Sequence, residues 1–206
     1  MEYSSLELLK QDYWLFEDDH LSLRLYPHFY DDKESLAHFD LLKNTIDWKT
    51  EKIKIFGKEH LVPRVVAWQG EEGVKYKYSG VLHKAVGWSS EIEDIKNKIE
   101  SETRTKYNSV LLNRYRGGSD KMGWHSDDEK ELGVNPVIAS LTFGAVRRFD
   151  FKEKVKENPK SLKLHLPSGS LLIMEGETQH YWKHQIPQQK KVEEERINLT
   201  FRLIKA

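Results

Sequence analysis

Cysteine is absent from the chain. That absence excludes a disulfide framework, a thiolate metal site and a cysteine nucleophile, and it fits a reducing compartment. There is also no run of about 18 apolar residues, and Met1 to Lys10 lacks the basic-then-apolar order of a secretory leader. A soluble cytoplasmic protein with no membrane role is therefore expected, nuclear if the source is eukaryotic. Charge of one sign is missing as well: 33 Lys and Arg balance 33 Asp and Glu. Bulk charge thus gives no hint of nucleic-acid binding, and any basic surface must be local. Arg147, Arg148, Lys152, Lys154 and Lys156 form one candidate patch, although such a run is also what a solvated loop looks like.

What is present is 206 residues of which 38% are hydrophobic, enough for one buried core, so a single domain over 1–206 is expected. No repeat of fixed period or low-complexity tract interrupts it. Helical spacing occurs over 33–42 and 91–107. In the second segment Ser89 or Ser90 can cap, and Ile92, Ile95 and Ile99 form the apolar stripe. From Val110 onward short β-rich runs follow at 110–115, 137–143, 148–151, 162–166, 170–174 and 197–203. Gly117-Gly118, Gly144 and 167–169 punctuate them, and 152–163 is a polar, lysine-rich connector. Many short strands with few helices predict a mainly β, α+β fold, a double-stranded β-helix or jelly roll with helices buttressing one face.

The most chemical segment is Trp124-His125-Ser126-Asp127-Asp128-Glu129. In a strand, residues i and i+2 share a side, so His125 and Asp127 could grip one metal. His184, on a candidate strand near Trp182, is the expected third ligand, with His165 and His180 as competitors. Two His and one carboxylate on one face leave coordination positions open, the pattern of non-haem iron(II) oxygenases. Alone, His-x-Asp also describes a solvated acidic turn.

Alternation from Arg196 onward places Arg196, Asn198, Thr200 and Arg202 on one face and Ile197, Leu199, Phe201 and Leu203 on the other. Two guanidiniums are expensive to bury unless they meet anions, and a dicarboxylate offers one carboxylate to each. The competing reading is an amphipathic strand with its polar row in water. Asn113 and Tyr115 form a second polar row ahead of the Gly-Gly turn and can add neutral donors, though such a pair is also a common surface feature.

Four separated motifs therefore stand together: Asn113-Arg114-Tyr115 with its glycine turn, His125 to Glu129, Leu171 to Gly176 leading to Trp182-Lys183-His184, and Arg196 to Arg202. In order, spacing and identity they resemble the AlkB family of iron(II)- and 2-oxoglutarate-dependent nucleic-acid repair dioxygenases, in the branch with the human DNA- and RNA-repairing homologues. The resemblance implies Fe(II) on His125, Asp127 and His184, with O2 as co-substrate. It implies 2-oxoglutarate held by Asn113, Tyr115, Arg196, Asn198, Thr200 and Arg202, with Arg196 on the far carboxylate and Arg202 nearer the keto acid. The jelly-roll core then occupies about 108–206, and about 1–107 supplies helices, supporting strands and an N-terminal nucleotide-recognition lid.

The lid resemblance lies in Val62-Pro63-Arg64, Ala67-Trp68 and Tyr76-Lys77-Tyr78-Ser79-Gly80. It implies that Tyr78 stacks on an extruded base opposite His125, that Tyr76 and Asp128 contact the base or its phosphates, and that Arg64 touches the nucleic-acid backbone. Glu129 competes with Asp128 for the closer base contact. Phe56, in Ile55-Phe56-Gly57-Lys58, is either a wedge filling the gap left by the flipped nucleotide or an ordinary hairpin residue. The implied reaction is oxidative demethylation of 1-methyladenine and 3-methylcytosine in DNA, releasing formaldehyde, succinate and CO2. A methyl on the Watson–Crick edge is unreachable inside a duplex, so the base must be extruded. An RNA- or single-strand-directed enzyme of the same chemistry, a non-catalytic nucleic-acid-binding jelly roll and a structural metal are the alternatives. A monomer with no obligate protein partner is expected. Trp124 and Tyr181-Trp182-Lys183 depart from the family pattern and leave the base preference open.

Overall fold

A computed structural model describes residues 13–55, 58–78, 81–85, 87–155 and 157–205. In chain order, β1 (Trp14–Asp18), β2 (Leu21–Tyr26) and α1 (Asp32–Thr45) are followed by β3 (Lys52–Ile55), β4 (Lys58–Leu61), β5 (Val65–Gly70), β6 (Lys75–Tyr78), β7 (Val81–Lys84) and α2 (Ser90–Thr103). Then come β8 (Ser109–Tyr115), β9 (Met122–His125), β10 (Ile138–Gly144), β11 (Arg147–Glu153), β12 (Ser161–Leu166), β13 (Leu171–Glu175), α3 (Thr178–Tyr181), β14 (Trp182–Ile186) and β15 (Arg196–Arg202). No helix among the described residues is long and apolar enough to cross a membrane.

The strands form a seven-stranded antiparallel sheet, β1-β2-β13-β10-β15-β8-β5, and a four-stranded sheet, β12-β11-β14-β9, with β3-β4 and β6-β7 as separate pairs. Period-two alternation on the large sheet feeds two cores. One face turns Leu112, Leu141, Ile173, Ile197, Leu199 and Phe201 toward the helices, where Leu42, Ile92, Ile95 and Ile99 cover them. The opposite face and the small sheet enclose Leu23, Leu172, Met174, Phe149, Phe151, Leu164, Leu166 and Trp182. Two sheets stacked face to face with helices on one outer side are the expected jelly-roll architecture.

Helix boundaries follow their caps rather than their apolar stripes. α1 opens at a capping box in which the Glu34 amide donates to Asp31 Oδ1 at 2.7 Å and the Asp31 amide donates to Glu34 Oε2 at 3.0 Å. The expected helix at 91–107 stops at Thr103, because Arg104 adopts φ 55° and returns its N–H to the Glu100 carbonyl. Ser89 is the N-cap without a side-chain cap bond, and its amide instead donates to Gln69 Oε1. The connector at 152–163 is shorter than expected, since β11 runs to Glu153 and β12 starts at Ser161.

The Gly117-Gly118 turn is dictated by close approach rather than by a left-handed dihedral. A Cβ on Gly118 would lie 1.8 Å from the Gln189 carbonyl oxygen, and the Gly118 amide donates to Val192 O at 2.6 Å. The turn after β8 is thereby docked on the segment between β14 and β15.

Candidate functional site

Between the sheets a narrow cavity is lined by Asn113 and Tyr115 of β8, His125 of β9, Ser140 of β10, His184 of β14, Asn198, Thr200 and Arg202 of β15, and Asp127. Register explains the convergence. Asn198 lies opposite Asn113 and Arg196 opposite Tyr115, while His184 lies opposite His125 in the small sheet. Every residue of β15 is buried, so the reading of its polar row as a solvated face is excluded.

The row is wired to its neighbours. Asn198 Oδ1 accepts from Ser140 Oγ at 3.1 Å and from Arg196 Nη2 at 2.7 Å, and its Nδ2 donates to Thr200 Oγ1 at 3.0 Å. Arg196 Nη2 also donates to Thr142 Oγ1 at 2.8 Å. The Arg196 side chain is fully enclosed, with its Cζ 5.3 Å from the centre of the Tyr115 ring. Its Nε and Nη1 make no hydrogen bond. Burial disfavours the charged guanidinium and draws its pKa down to about 10.

Asp127 departs from the expected geometry. β9 ends at His125, so Asp127 reaches the cavity from the following loop and not as the i+2 residue of a strand. Two contacts aim it: its amide donates to Gln179 Oε1 at 2.9 Å, and its Oδ1 accepts from Arg202 Nη2 at 2.7 Å. Oδ2 is buried and without a hydrogen bond. Burial opposes its ionisation, but Arg202, His184 and His125 prevail and hold the carboxyl down to about 2.

The two imidazoles lie edge to face, with ring centres 4.2 Å apart. His125 Nδ1 lies 2.9 Å from the Gly123 carbonyl, which can only accept, so the proton sits on Nδ1 and the Nε2 lone pair is left for a metal. His184 stacks on Phe149 at 5.3 Å. Burial lowers the pKa of both rings, that of His184 well below its ordinary value, and keeps them neutral as ligands must be. Among the described residues no three such side chains are already closed into a metal cage. The donor set of two neutral imidazoles and a carboxylate with a free oxygen nevertheless fits a ferrous ion, and Arg196, with Nε and Nη1 unsatisfied, fits a carboxylate.

Other expectations fall differently. Arg64 is only 6% exposed, and its Nε donates to Asn113 Oδ1 at 2.6 Å, which sets it on the polar network of the site rather than on an outer surface. Asp128 already pairs with His180 and Lys154, and Glu129 is half-buried. His180 is thereby turned to Asp128, and His165 lies on an exposed strand position, so neither competes for the metal. β6 carries Tyr76 and Tyr78, whose side-chain contacts lie outside the described residues, as do Phe56 and Lys156 altogether.

Three members of the linear basic patch are drawn off for a physical reason. Arg147 is fully buried and donates to Gln189 Oε1 and to the carbonyls of Gly117, Asp120 and Pro187. Arg148 pairs with Asp150 and Lys154 with Asp128. Sequence reasoning also missed Gln179, 1% exposed, which joins the Asp127 amide to Met174 Sδ. Ser140 and Thr142 were legible as polar residues alternating with Ala139, Leu141 and Phe143.

Comparison with known proteins agrees with this geometry. The chain is 39% identical over 188 residues to the alpha-ketoglutarate-dependent dioxygenase alkB homolog 3 of Homo sapiens, covering 87% of this chain and 65% of that protein. It is 38% identical over 175 residues to the DNA oxidative demethylase ALKBH2 of Homo sapiens, covering 81% of this chain and 67% of that protein. It thus spans about two thirds of the length of these relatives. The solved structure of OsALKBH1 shares the fold, with a TM-score of 0.63 over 92% of this chain and 100% of that one at 17% identity. The model of the 2OG-Fe(II) oxygenase superfamily matches residues 22–202, a span that takes in every residue of the cavity. With two donor imidazoles, an orphaned carboxylate oxygen and a buried unpaired guanidinium inside that span, the chain belongs to the AlkB family of Fe(II)- and 2-oxoglutarate-dependent oxygenases.

Proposed function

We propose that the protein removes methyl groups oxidatively from N-alkylated bases, 1-methyladenine and 3-methylcytosine, in DNA. The observation that carries the reading is the pairing of opposites at one site, with Asp127 lining the cavity and Arg196 held just behind its Tyr115 and Asn198 wall. Arg196 is a buried cation with two nitrogens, Nε and Nη1, without a hydrogen bond, and Asp127 is a buried anion with one oxygen unmet. Leaving either unmatched in a low-dielectric interior costs about 1–3 kcal/mol or more, so each is a place prepared for a charged ligand.

In this reading His125, Asp127 and His184 hold Fe(II), which together with 2-oxoglutarate and O2 supplies the oxidation of an N-methyl C–H bond. Arg196 binds the far carboxylate of 2-oxoglutarate, and Tyr115, Asn113, Asn198 and Thr200 line its length. Arg202 keeps Asp127 ionised and oriented through their 2.7 Å ion pair, and stands beside the keto-acid end. Gln179 fixes the Asp127 backbone, so the carboxylate need not find its place anew at each turnover. Apolar walls of Phe149 and Met174 exclude water from the reacting methyl. Tyr76 and Tyr78, with Phe56 as wedge, are assigned to the extruded base, and Asp128 with Glu129 to its rim. The chain acts as a single dioxygenase domain.

The test incubates the protein with Fe(II), ascorbate, 2-oxoglutarate and methylated oligonucleotides, and follows the mass of the base. Loss of one methyl per base, absent in His125→Ala and without 2-oxoglutarate, is expected. Succinate formation with every base left methylated would refute the substrate. If saturating 2-oxoglutarate with Mn(II) failed to raise the melting temperature, the cofactor assignment would be refuted too.

A further inference from the structure

The small sheet has a second face. The alternation that buries Phe149 and Phe151 of β11, Leu164 and Leu166 of β12, and Trp182 and Ile186 of β14 turns Lys152, Lys163 and Lys183 outward, and all three are exposed. Strand pairing sets Lys152 directly opposite Lys183, and Lys163 opposite Asp150. Like charges placed directly across a ladder are destabilising. Asp150 does not relieve them, because Arg148 holds it at 2.7 Å and 3.0 Å and Gln185 Nε2 donates to it at 3.1 Å. The three lysines make no ion pair among the described residues, whereas nearby Lys154 and Lys160 are each paired with aspartates.

This stripe of uncompensated charge runs across β12, β11 and β14 toward β9. There Trp124 is 43% exposed, one residue before His125 at the cavity. We propose that the outer face of the four-stranded sheet binds single-stranded nucleic acid flanking the base held in the cavity, with Lys152, Lys163 and Lys183 on phosphates and Trp124 stacked on an unpaired base. The inference rests on the demethylase reading and extends it to the path of the substrate strand. Ammonium groups in a row recognise any polyanion, but a row that ends on an exposed indole beside the reaction cavity suits a chain that alternates phosphates with flat bases.

The two kinds of contact have different signatures, which makes the test specific. Binding of a labelled, methylated oligonucleotide of about 15 nucleotides is measured across a salt series, for a strand long enough to cross the sheet. Replacing all three lysines, Lys152→Gln, Lys163→Gln and Lys183→Gln, should flatten the plot of log affinity against log salt by about 2, since each phosphate contact on a single strand contributes about 0.7. The corresponding triple Arg variant should keep the slope. Trp124→Ala should weaken binding about fivefold or more at every salt concentration without changing the slope. Demethylation of a methylated trinucleotide by the triple Gln variant should be unchanged.

An unaltered slope in the triple Gln variant, with demethylation intact, would overturn the face alone. Competition by polyglutamate as effective as that of unmethylated oligonucleotide would overturn the nucleic-acid assignment. Failure of the unsubstituted chain to bind or demethylate any oligonucleotide would overturn this inference and the proposed function together.

Discussion

Two guanidiniums flank the Tyr115 ring, Arg147 at 5.7 Å and Arg196 at 5.3 Å, and neither is exposed to solvent. Arg147 is met by neutral acceptors: one glutamine side chain and three backbone carbonyls from the loops at 117–120 and 187–189. Arg196 donates from Nη2 to Thr142 and Asn198 and lies against Tyr115, while its Nε and Nη1 are left without a hydrogen bond. The same side chain, equally buried, is a fastener in one place and a receptor in the other. What separates them is how many N–H groups the fold leaves unanswered.

The widest gap between the two should open in stability. Arg147→Met strands three carbonyls and frees two loops, and should lower unfolding free energy by about 3–5 kcal/mol in denaturant melts. Arg196→Met removes a charge the apo fold does not satisfy, so apo stability should stay within about 1 kcal/mol. Equal losses in the two variants would abolish the distinction.

Next comes ligand use. Arg196→Met should reduce kcat/KM for 2-oxoglutarate about 100-fold, the loss of a charged pair of about 3 kcal/mol. The melting shift that 2-oxoglutarate gives with Mn(II) should vanish with it. A folded Arg147→Met protein should retain that shift.

A smaller effect is expected at Gln189, which accepts from Arg147 Nε and from the Arg148 amide. Gln189→Ala should cost about 1–2 kcal/mol and leave cofactor binding in place.

The finest contrast is with pH. The Arg147 fastening contains no titrating acceptor, so Arg147→Met should leave the steepness of acid unfolding unchanged. Glu195 behaves otherwise: hydrogen bonds from Arg114 and then Lys43 hold its pKa below the usual 4.5 despite some burial. A depressed folded-state pKa means its stabilisation is complete above about pH 4.5 and is lost as pH falls through the lower folded value. Glu195→Gln should therefore remove part of the stability decline below pH 4.5, measured by melts between pH 3 and 6 at intervals of about half a unit.

Much of this was legible from period and motif. The polar row of β15, the placement of His184 on a strand and the isoleucine stripe of α2 all follow from alternation or helical spacing. Three things were not. Asp127 was read as a strand residue, yet what aims it is Gln179, 52 residues away, through a contact no local pattern announces. Arg147 looked like surface charge because its carbonyl partners belong to loops that only the folded chain brings near. The lysines of the small sheet are scattered over 152, 163 and 183 and become neighbours only through strand register. Sequence shows which side of a strand a residue takes, while the partner across the ladder is a property of topology.

β15 lies between β10 and β8 near the middle of the large sheet, whereas β9 is the terminal strand of the small one. In the language of hydrogen exchange, amides of β15 are expected to open only with the whole molecule, and those of β9 by fraying at an edge. The polar row of β15 and the imidazole of His125 should thus fall in different cooperative units. Under mild destabilisation the protein should forget how to hold its metal while it still remembers the shape of its co-substrate.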